Sequence, residues 1–245
     1  MSDFLTASRF LTVLPLGRGR VVEPERMASS MAYFPLVGAW LGVMLWFCDY
    51  GLGRVFPHQV VSALLVGILA IVTGGLHIDG LADTIDGIFG GRGDKARTLE
   101  IMKDSRIGAM GVVAVVLLLL VKFAAFDSLQ GTARAQAIIA APALARWSQV
   151  AVAFRSEYAR KEGSLARPFV EHLTPLYFIV ALLGAALIAY LVAGLWGIVP
   201  FAVSAAIALA ARGYFKRLIG GVTGDTIGAA SELCEAAILL AFLLR

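Results

Sequence analysis

Charged residues are scarce in this chain: Asp, Glu, Lys and Arg together make up 16% of its 245 residues, against roughly 25% in soluble domains. Disordered chains contain few apolar residues. In this chain 59% of all residues are hydrophobic, which excludes a disordered protein. Proline is also rare, at 8 residues, which excludes collagen-like and proline-rich chains. Apolar stretches of about 18 residues recur along the whole length, and they predict a membrane protein.

Cysteine is nearly absent, and both copies, Cys48 and Cys234, lie in apolar stretches. Such cysteines are typical of packing residues, and two of them alone cannot form a zinc site. The formal net charge is +4, which in a soluble protein could indicate a nucleic-acid partner. In a membrane protein an excess of Lys and Arg is expected in the cytoplasmic loops. We therefore predict no nucleic-acid partner.

The hydropathy pattern predicts an all-α, polytopic membrane bundle that forms a single catalytic domain over residues 1–245. One candidate span, 198–212, is short, so six spans with a re-entrant segment are the alternative to seven. The seven candidate spans cover roughly residues 31–48, 60–78, 108–126, 136–154, 174–192, 198–212 and 227–244.

Basic residues alternate between the connections. The segments 1–30, 79–107, 155–173 and 212–226 are rich in Lys and Arg, whereas the connections between them carry one or none. The basic side is expected to be cytoplasmic, which predicts a cytoplasmic N-terminus. We predict that the segment 1–30 is cytoplasmic or lies at the membrane interface. Lys122, near the outer end of its span, is expected to extend to the membrane surface.

The densest polar motif is GGLHIDGLADTIDGIFGG at 74–91. On a helix, Asp79, Asp83 and Asp86 form one narrow stripe, because they are spaced i, i+4 and i+7. Like charges at this spacing destabilise a helix, and a bound divalent cation would remove the conflict. Oxygen ligands favour Mg²⁺ or Mn²⁺ over zinc. The alternative is a solvated acidic face.

Two further segments on the basic side carry charges of the same kind. Lys103, Asp104 and Arg106 lie in KDSRIG, where the carboxylate could bind metal and the cations could bind phosphate oxygens. A plain juxtamembrane basic cluster is the alternative. In GGVTGDTIGAASELCE, at 220–235, Asp225 is predicted as a further metal ligand. Lys216 and Arg217 precede this segment, and we include Arg217 among the substrate-binding residues, together with the glycine pair Gly74 and Gly75.

Several ionisable residues fall inside or next to predicted spans, where such residues are functional by default. Glu232 and Glu235 are candidates for the general base, in competition with His77 and a metal-bound Asp. Arg146 lies in mid-span, and two interpretations are open. It binds phosphate oxygens of a substrate, or it forms an ion pair with Glu232 or Glu235.

These residues predict a Mg²⁺-dependent site at the inner membrane surface, and acids beside Arg and Lys suit phosphoryl or phosphodiester transfer. The competing class is a carboxylate-lined cation transporter. Transporter sites lie near the midplane of the membrane, whereas these motifs cluster at one face. The pattern therefore favours an enzyme, in contact with membrane lipid, that acts on small phosphate-containing molecules.

The motifs resemble those of the cobalamin synthase family, adenosylcobinamide-GDP ribazoletransferase, over nearly the whole chain. The resemblance implies a transferase of cobalamin biosynthesis that joins adenosylcobinamide-GDP and α-ribazole, or its 5′-phosphate, and releases GMP. It also implies Mg²⁺ and the bacterial cytoplasmic (inner) membrane, and it leaves open a homo-oligomer. The matching segments are GGLHIDGLADTIDG at 74–87, KDSRIG at 103–108, 220–235, FLTVLPLG at 10–17, FPLVG at 34–38 and Ala-Arg-Lys-Glu-Gly at 159–163.

The alternative family is that of the CDP-alcohol phosphotransferases, which exchange the same kind of bond at Asp-rich membrane helices. The Asp-Gly-x-x-Ala-Arg part of their signature is absent here. At the equivalent point this chain has Asp79-Gly80-Leu81-Ala82-Asp83, so the cobalamin synthase resemblance is the better match.

Overall fold

The computed structural model describes residues 2–16, 22–160 and 164–245. Regular structure in these ranges is helical, apart from one isolated bridge between Tyr158 and Val222, which confirms the all-α prediction. Short 3-10 helices at Met31–Tyr33 and Gly194–Gly197 extend two of the helices. The α-helices are α1 Asp3–Leu11, α2 Pro24–Ser30, α3 Phe34–Leu52, α4 His58–Val72, α5 Leu76–Gly91, α6 Lys95–Ile101, α7 Ala109–Ser128, α8 Gly131–Ala153, α9 Arg167–Glu171, α10 Pro175–Ala193, α11 Ile198–Ile219 and α12 Gly224–Phe242.

The long helices overlap the predicted spans, and the short stretch at 198–212 is part of α11, a helix of 22 residues. Three helical stretches of the described chain are long and apolar enough to cross a membrane: Pro24–Leu52, Ala109–Ser128 and Pro175–Ile219. The bent pair of α4 and α5 is a fourth if it forms one broken span. The chain is therefore a helical membrane protein, while seven spans and a cytoplasmic N-terminus stay predictions.

Helix α8 lies at the centre of the bundle and packs against α3, α10, α11 and α12. Glycines on α3 allow the closest of these contacts. A Cβ atom on Gly42 would lie 2.6 Å from Cα of Ile139, and one on Gly38 would lie 2.7 Å from Cα of Ala143. Small residues one helical turn apart let two membrane helices approach closely. The centre of the bundle is therefore built on backbone contact.

The break between α4 and α5 occurs at Gly74 and Gly75, which adopt left-handed φ values of 63° and 67°. Glycine takes up this conformation without steric cost. The backbone N–H of Gly75 donates to the carbonyl oxygen of Ala70 at 2.8 Å and so ends α4. The two helices then enclose an angle of 88°. The glycine pair thus sets the direction of the helix that carries the aspartate stripe.

The N-terminal helix α1 packs against α2 and α3. Asp3 anchors it: Ser29 Oγ donates to Asp3 at 2.8 Å, and Arg26 pairs with the same carboxylate at 3.3 Å. Leu11 is fully buried. Helix α1 is therefore part of the packed bundle, and its position relative to a membrane interface stays a prediction.

Candidate active site

Close packing of α5 against α12 brings two of the predicted acidic motifs together. A Cβ atom on Gly80 would lie 2.9 Å from Cα of Asp225, and one on Gly228 would lie 3.2 Å from Cα of His77. Glycine at both positions removes the side chains that would hold the helices apart. Asp79 and Asp83 on α5 are consequently neighbours of Asp225 in the first turn of α12.

The three carboxylates of this group, which we call the aspartate cluster (Asp79, Asp83 and Asp225), have little compensating charge. Asp83 interacts electrostatically with Asp79 and Asp225 and with the guanidinium of Arg160. Arg160 Nη2 lies 2.5 Å from the carboxylate of Asp225 and also donates to the carbonyl oxygen of Met102 at 3.1 Å. Within the described ranges, the carboxylates of Asp79 and Asp83 have no ion pair or hydrogen bond. The cluster thus holds three acids beside one arginine.

Arg160 belongs to the Ala-Arg-Lys-Glu-Gly segment, and it was not among the predicted site residues. Only its place in that segment could have indicated a role, because its partner, Asp225, is far away in sequence. Residues 161–163 of the segment lie outside the described residues. Through Met102, Arg160 connects the aspartate cluster to the start of the KDSRIG loop.

The structure gives two of the predicted metal ligands other partners. Asp86 accepts hydrogen bonds from the backbone N–H groups of Gly108, at 2.6 Å, and Gly111, at 2.8 Å. A carboxylate in this position satisfies free amides at the N-terminus of α7 and matches the helix dipole. Asp104 pairs with Arg106 at 2.7 Å, and the Arg106 side chain is 88% exposed. The hydrogen bonds from Arg106 lower the pKa of Asp104 to about 2.

The donor chemistry of the aspartate cluster fits Mg²⁺, because carboxylate oxygens are the hard ligands that suit that ion. No group of three or more His, Cys, Asp or Glu side chains is close enough to hold a metal ion in the part of the chain that the structure describes. A protein Mg²⁺ site commonly uses one or two carboxylates, with water and substrate phosphates as the remaining ligands. The residues therefore fit an ion that arrives with a phosphate-bearing substrate.

A second group of charges is buried between α7, α8 and α12, and we call it the ion-pair network (Lys122, Arg146, Glu232 and Glu235). Lys122 Nζ lies 2.5 Å from Glu232 and 2.7 Å from Glu235. Arg146 Nη1 lies 3.2 Å from the other oxygen of Glu235. Two cations thus balance two carboxylates, as buried charges require.

The ion-pair network corrects one expectation and decides between two others. Lys122 does not extend to the membrane surface, since its side chain is 4% exposed and points into the bundle. The reason is the pair of glutamates on α12, which offer closer partners than the headgroup region. Arg146 forms the ion pair with Glu235 that was one of its two interpretations. Glu232 and Glu235, the candidate general bases, are both engaged by cations.

Hydrogen bonds next to the network favour one tautomer of His77. Ser231 Oγ donates to the carbonyl oxygen of Ala145 at 3.1 Å. A hydroxyl has one hydrogen, so Ser231 must accept from Arg146, at 3.3 Å, and from the amide nitrogen of Gln149, at 2.9 Å. That same amide nitrogen lies 3.0 Å from Nε2 of His77.

With the Gln149 amide in this orientation its nitrogen donates, Nε2 of His77 accepts, and the ring hydrogen lies on Nδ1. His77 is 3% exposed, and Nδ1 has no hydrogen-bond partner among the residues described. In this arrangement His77 is a neutral ring with a free N–H, that is, a hydrogen-bond donor. The geometry therefore favours donation over the predicted role of His77 as a general base.

A cavity of about 160 Å³ adjoins the aspartate cluster. Its apolar walls come from α1, the start of α3, α9 and α12, and include three phenylalanines. Its polar lining consists of Asp79 and Asp225 from the cluster, His77, Gln149 and Ser164. The ion-pair network does not line it. A ligand in this cavity would contact two carboxylates and the ring of His77.

The remaining predicted site residues lie outside the cavity. Lys103 lines an open basin of about 570 Å³ together with Lys95 and Arg160, next to the aspartate cluster. Arg217 is exposed in the last turn of α11. The structure therefore brings together Asp79, Asp83, Asp225 and His77, and it places Arg106 and Arg217 on the surface.

Comparison with known proteins identifies the family. The family profile described as Cobalamin-5-phosphate synthase matches residues 3–243. Three similar proteins are each named adenosylcobinamide-GDP ribazoletransferase. The one from Syntrophobacter fumaroxidans is 39% identical, over 98% of this chain and 97% of its own length. The one from Geotalea daltonii is 40% identical, over 97% and 95%. The one from Pseudomonas paraeruginosa is 39% identical, over 100% and 98%.

No solved structure matches this chain. The family profile covers nearly every residue, and the three relatives align over 95–98% of their own lengths, so the resemblance of the motifs is confirmed. The chain belongs to the cobalamin-5-phosphate synthase family.

Proposed function

We propose that this protein catalyses the final joining step of cobalamin synthesis, in which adenosylcobinamide-GDP and α-ribazole, or its 5′-phosphate, give adenosylcobalamin, or its 5′-phosphate, and GMP. The relatives' name supports the substrates. The observation that supports the chemistry is the aspartate cluster. Its three carboxylates, with one arginine as partner, lie beside both a ligand-sized cavity and a basic basin.

In the proposed reaction, a ribose hydroxyl of the acceptor attacks the phosphorus on the cobinamide side of the pyrophosphate, and GMP leaves. Lys95, Lys103 and Arg160, which line the basin, would hold the phosphates of the donor, since guanidinium and ammonium groups bind phosphate oxygens. Asp83 and Asp225 would hold Mg²⁺, and the carboxylate of Asp79 lies beside them. The ion would neutralise charge on the phosphates and on departing GMP.

The proton of the attacking hydroxyl requires an acceptor near the cavity. Glu232 and Glu235 are engaged with Lys122 and Arg146 and do not line the cavity. Asp79 lines it and has no cationic partner in the described ranges, whereas Asp225 is paired with Arg160. We therefore assign proton removal to Asp79, at a carboxylate that the substrate can touch.

The decisive experiment is an assay of the purified protein in detergent with adenosylcobinamide-GDP, α-ribazole and Mg²⁺. We expect GMP to appear in equal amount to the corrinoid product, without any ion gradient, and EDTA to stop the reaction. Cation uptake into sealed vesicles without release of GMP would contradict the proposal and support the transporter alternative.

We also propose that the site faces the cytoplasm, which rests on the distribution of basic residues. Cysteine labelling of inverted and right-side-out vesicles would test this orientation. In a background lacking Cys48 and Cys234, Arg106→Cys reports the face of the site and Arg54→Cys, exposed in the α3–α4 connection, reports the other. A membrane-impermeant maleimide should label the first only in inverted vesicles and the second only in right-side-out ones.

A further inference from the structure

We propose that the cavity beside the aspartate cluster binds the heteroaromatic nucleoside of the acceptor substrate, with His77 as the donor that recognises it. This inference rests on the proposed function and names the part of the site that takes each substrate. The cavity takes the nucleoside, and the basin lined by Lys95, Lys103 and Arg160 takes the pyrophosphate donor.

Aromatic side chains from three separate elements form the apolar wall. The ring of Phe169 on α9 lies 4.4 Å from that of Phe10 on α1 and 5.7 Å from that of Phe34 on α3, measured between centroids. Aromatic rings at such distances prefer tilted or offset contacts with one another. All three line the cavity, so a planar ring that enters would pack against aromatic side chains.

The volume of the cavity limits which part of a substrate can enter it. An apolar cavity of about 150 Å³ binds benzene in another protein, and this one holds about 160 Å³. That space is in the range of one planar ring system and too small for a corrin macrocycle. A nucleoside base therefore fits this space, and because the basin is assigned to the phosphates of the donor, we assign the cavity to the base of the acceptor.

The polar lining of the cavity favours an occupant that can accept a hydrogen bond. Nδ1–H of His77 is buried without a partner in the described chain, and the Ser231–Gln149 hydrogen bonds hold it in that state. A buried donor without an acceptor is costly. A ring nitrogen or a ribose oxygen of the nucleoside would accept this hydrogen bond, and the ribose would then lie near Asp79. A lipid acyl chain would cover the phenylalanines but leave the donor unsatisfied.

Binding of α-ribazole alone to the full-length protein in detergent, measured by calorimetry, tests the proposal without the reaction. Phe169→Ala should raise the Kd at least tenfold, and His77→Phe should do the same. Phe47→Ala, a matched change at an exposed position of α3, should leave the Kd within twofold. Free 5,6-dimethylbenzimidazole should compete with α-ribazole, whereas ribose 5-phosphate should not.

If Phe169→Ala does not fold, Phe169→Leu and the ¹⁵N spectrum of His77 replace it. The chain has three histidines, so selective labelling gives a readable spectrum, and the Nδ1–H signal of His77 should shift when dimethylbenzimidazole is added. An unchanged Kd in the phenylalanine and histidine variants would overturn the proposal, as would an unshifted signal. Wild-type GMP release alongside such results would show that the subsite is wrong and the reaction right.

Discussion

Two groups of carboxylates lie in the same bundle, a short distance apart along α12, and they differ in charge balance. In the ion-pair network, Glu232 and Glu235 are neutralised by Lys122 and Arg146 within a closed, buried set of contacts. In the aspartate cluster, only the carboxylate of Asp225 pairs with Arg160 among the described residues, and two of the three carboxylates line a cavity. A protein keeps unbalanced acids where a ligand supplies the missing positive charge. The difference in charge balance is the reason why we place the proposed reaction at the aspartate cluster and assign a structural role to the ion-pair network.

The largest expected effect separates the two groups by activity. Asp83→Asn removes a charge from the aspartate cluster and should lower turnover on the order of a thousandfold, because charge stabilisation of a phosphoryl transfer is lost. The protein should remain folded in detergent. GMP release measured across a Mg²⁺ titration checks this, with the surface change Glu23→Gln as control. Near-wild-type turnover at any Mg²⁺ concentration would remove Asp83 from the site.

The next effect separates the groups by stability. Lys122→Met leaves Glu232 and Glu235 with one cation, and breaking a buried ion pair in this way costs about 3–5 kcal/mol. The apparent Tm in detergent should fall by about 10 °C. Lys122→Met combined with Glu232→Gln restores the balance of charge and should recover most of the loss. A double variant no more stable than the single one would contradict the neutralising role of Lys122.

A smaller effect is expected at the ion pair between Arg160 and Asp225, the feature that the aspartate cluster shares with the ion-pair network. Arg160→Lys keeps the charge, but the ammonium lies on a shorter side chain than Nη2, which alone makes the contacts to both Asp225 and Met102. We expect turnover to fall roughly tenfold, with a change in KM for adenosylcobinamide-GDP. Arg212→Lys, which alters a similar contact to the carbonyl oxygen of Arg155, is the matched control. Equal rates in both variants would show that Arg160 has no part in the site.

The smallest effect is expected for Asp104, and it distinguishes the surface pair from a metal ligand. Arg106 lowers the pKa of Asp104 to about 2, so the carboxylate is ionised above that pH and the pair is lost only as pH falls through it. Asp104→Asn should therefore leave the pH–rate profile between about pH 5 and 9 unchanged and turnover within about threefold. A loss as large as that of Asp83→Asn would instead establish Asp104 as a ligand.

The sequence predicted the positions of the long helices and the association of the first and third acidic motifs, because hydropathy and residue order determine both. It could not predict partners that depend on tertiary contact. Arg160 meets Asp225 only after the chain has returned to the same end of the bundle. Asp86 belongs to the predicted stripe, yet its carboxylate accepts a hydrogen bond from the backbone at the N-terminus of α7.

Lys122 shows why the position of a side chain cannot be predicted from its own span alone. Its distance from the end of α7 suggested the headgroup region, whereas the determining fact is that α12 places two glutamates beside it. The cavity could not be predicted from the sequence either. Its aromatic wall combines residues of α1, α3 and α9, and no local sequence pattern indicates that these residues meet.

The bend at Gly74 and Gly75 has a consequence for how water-soluble molecules meet an enzyme embedded in lipid. If α4 runs along the membrane normal, an angle of 88° directs α5 parallel to the membrane plane. Asp79 and Asp86, about two turns apart, then lie at one depth instead of about 10 Å apart in depth. Asp79 and Asp83 are then presented at one depth, so a substrate that reaches one of them from the water reaches the other without going deeper into the hydrocarbon layer.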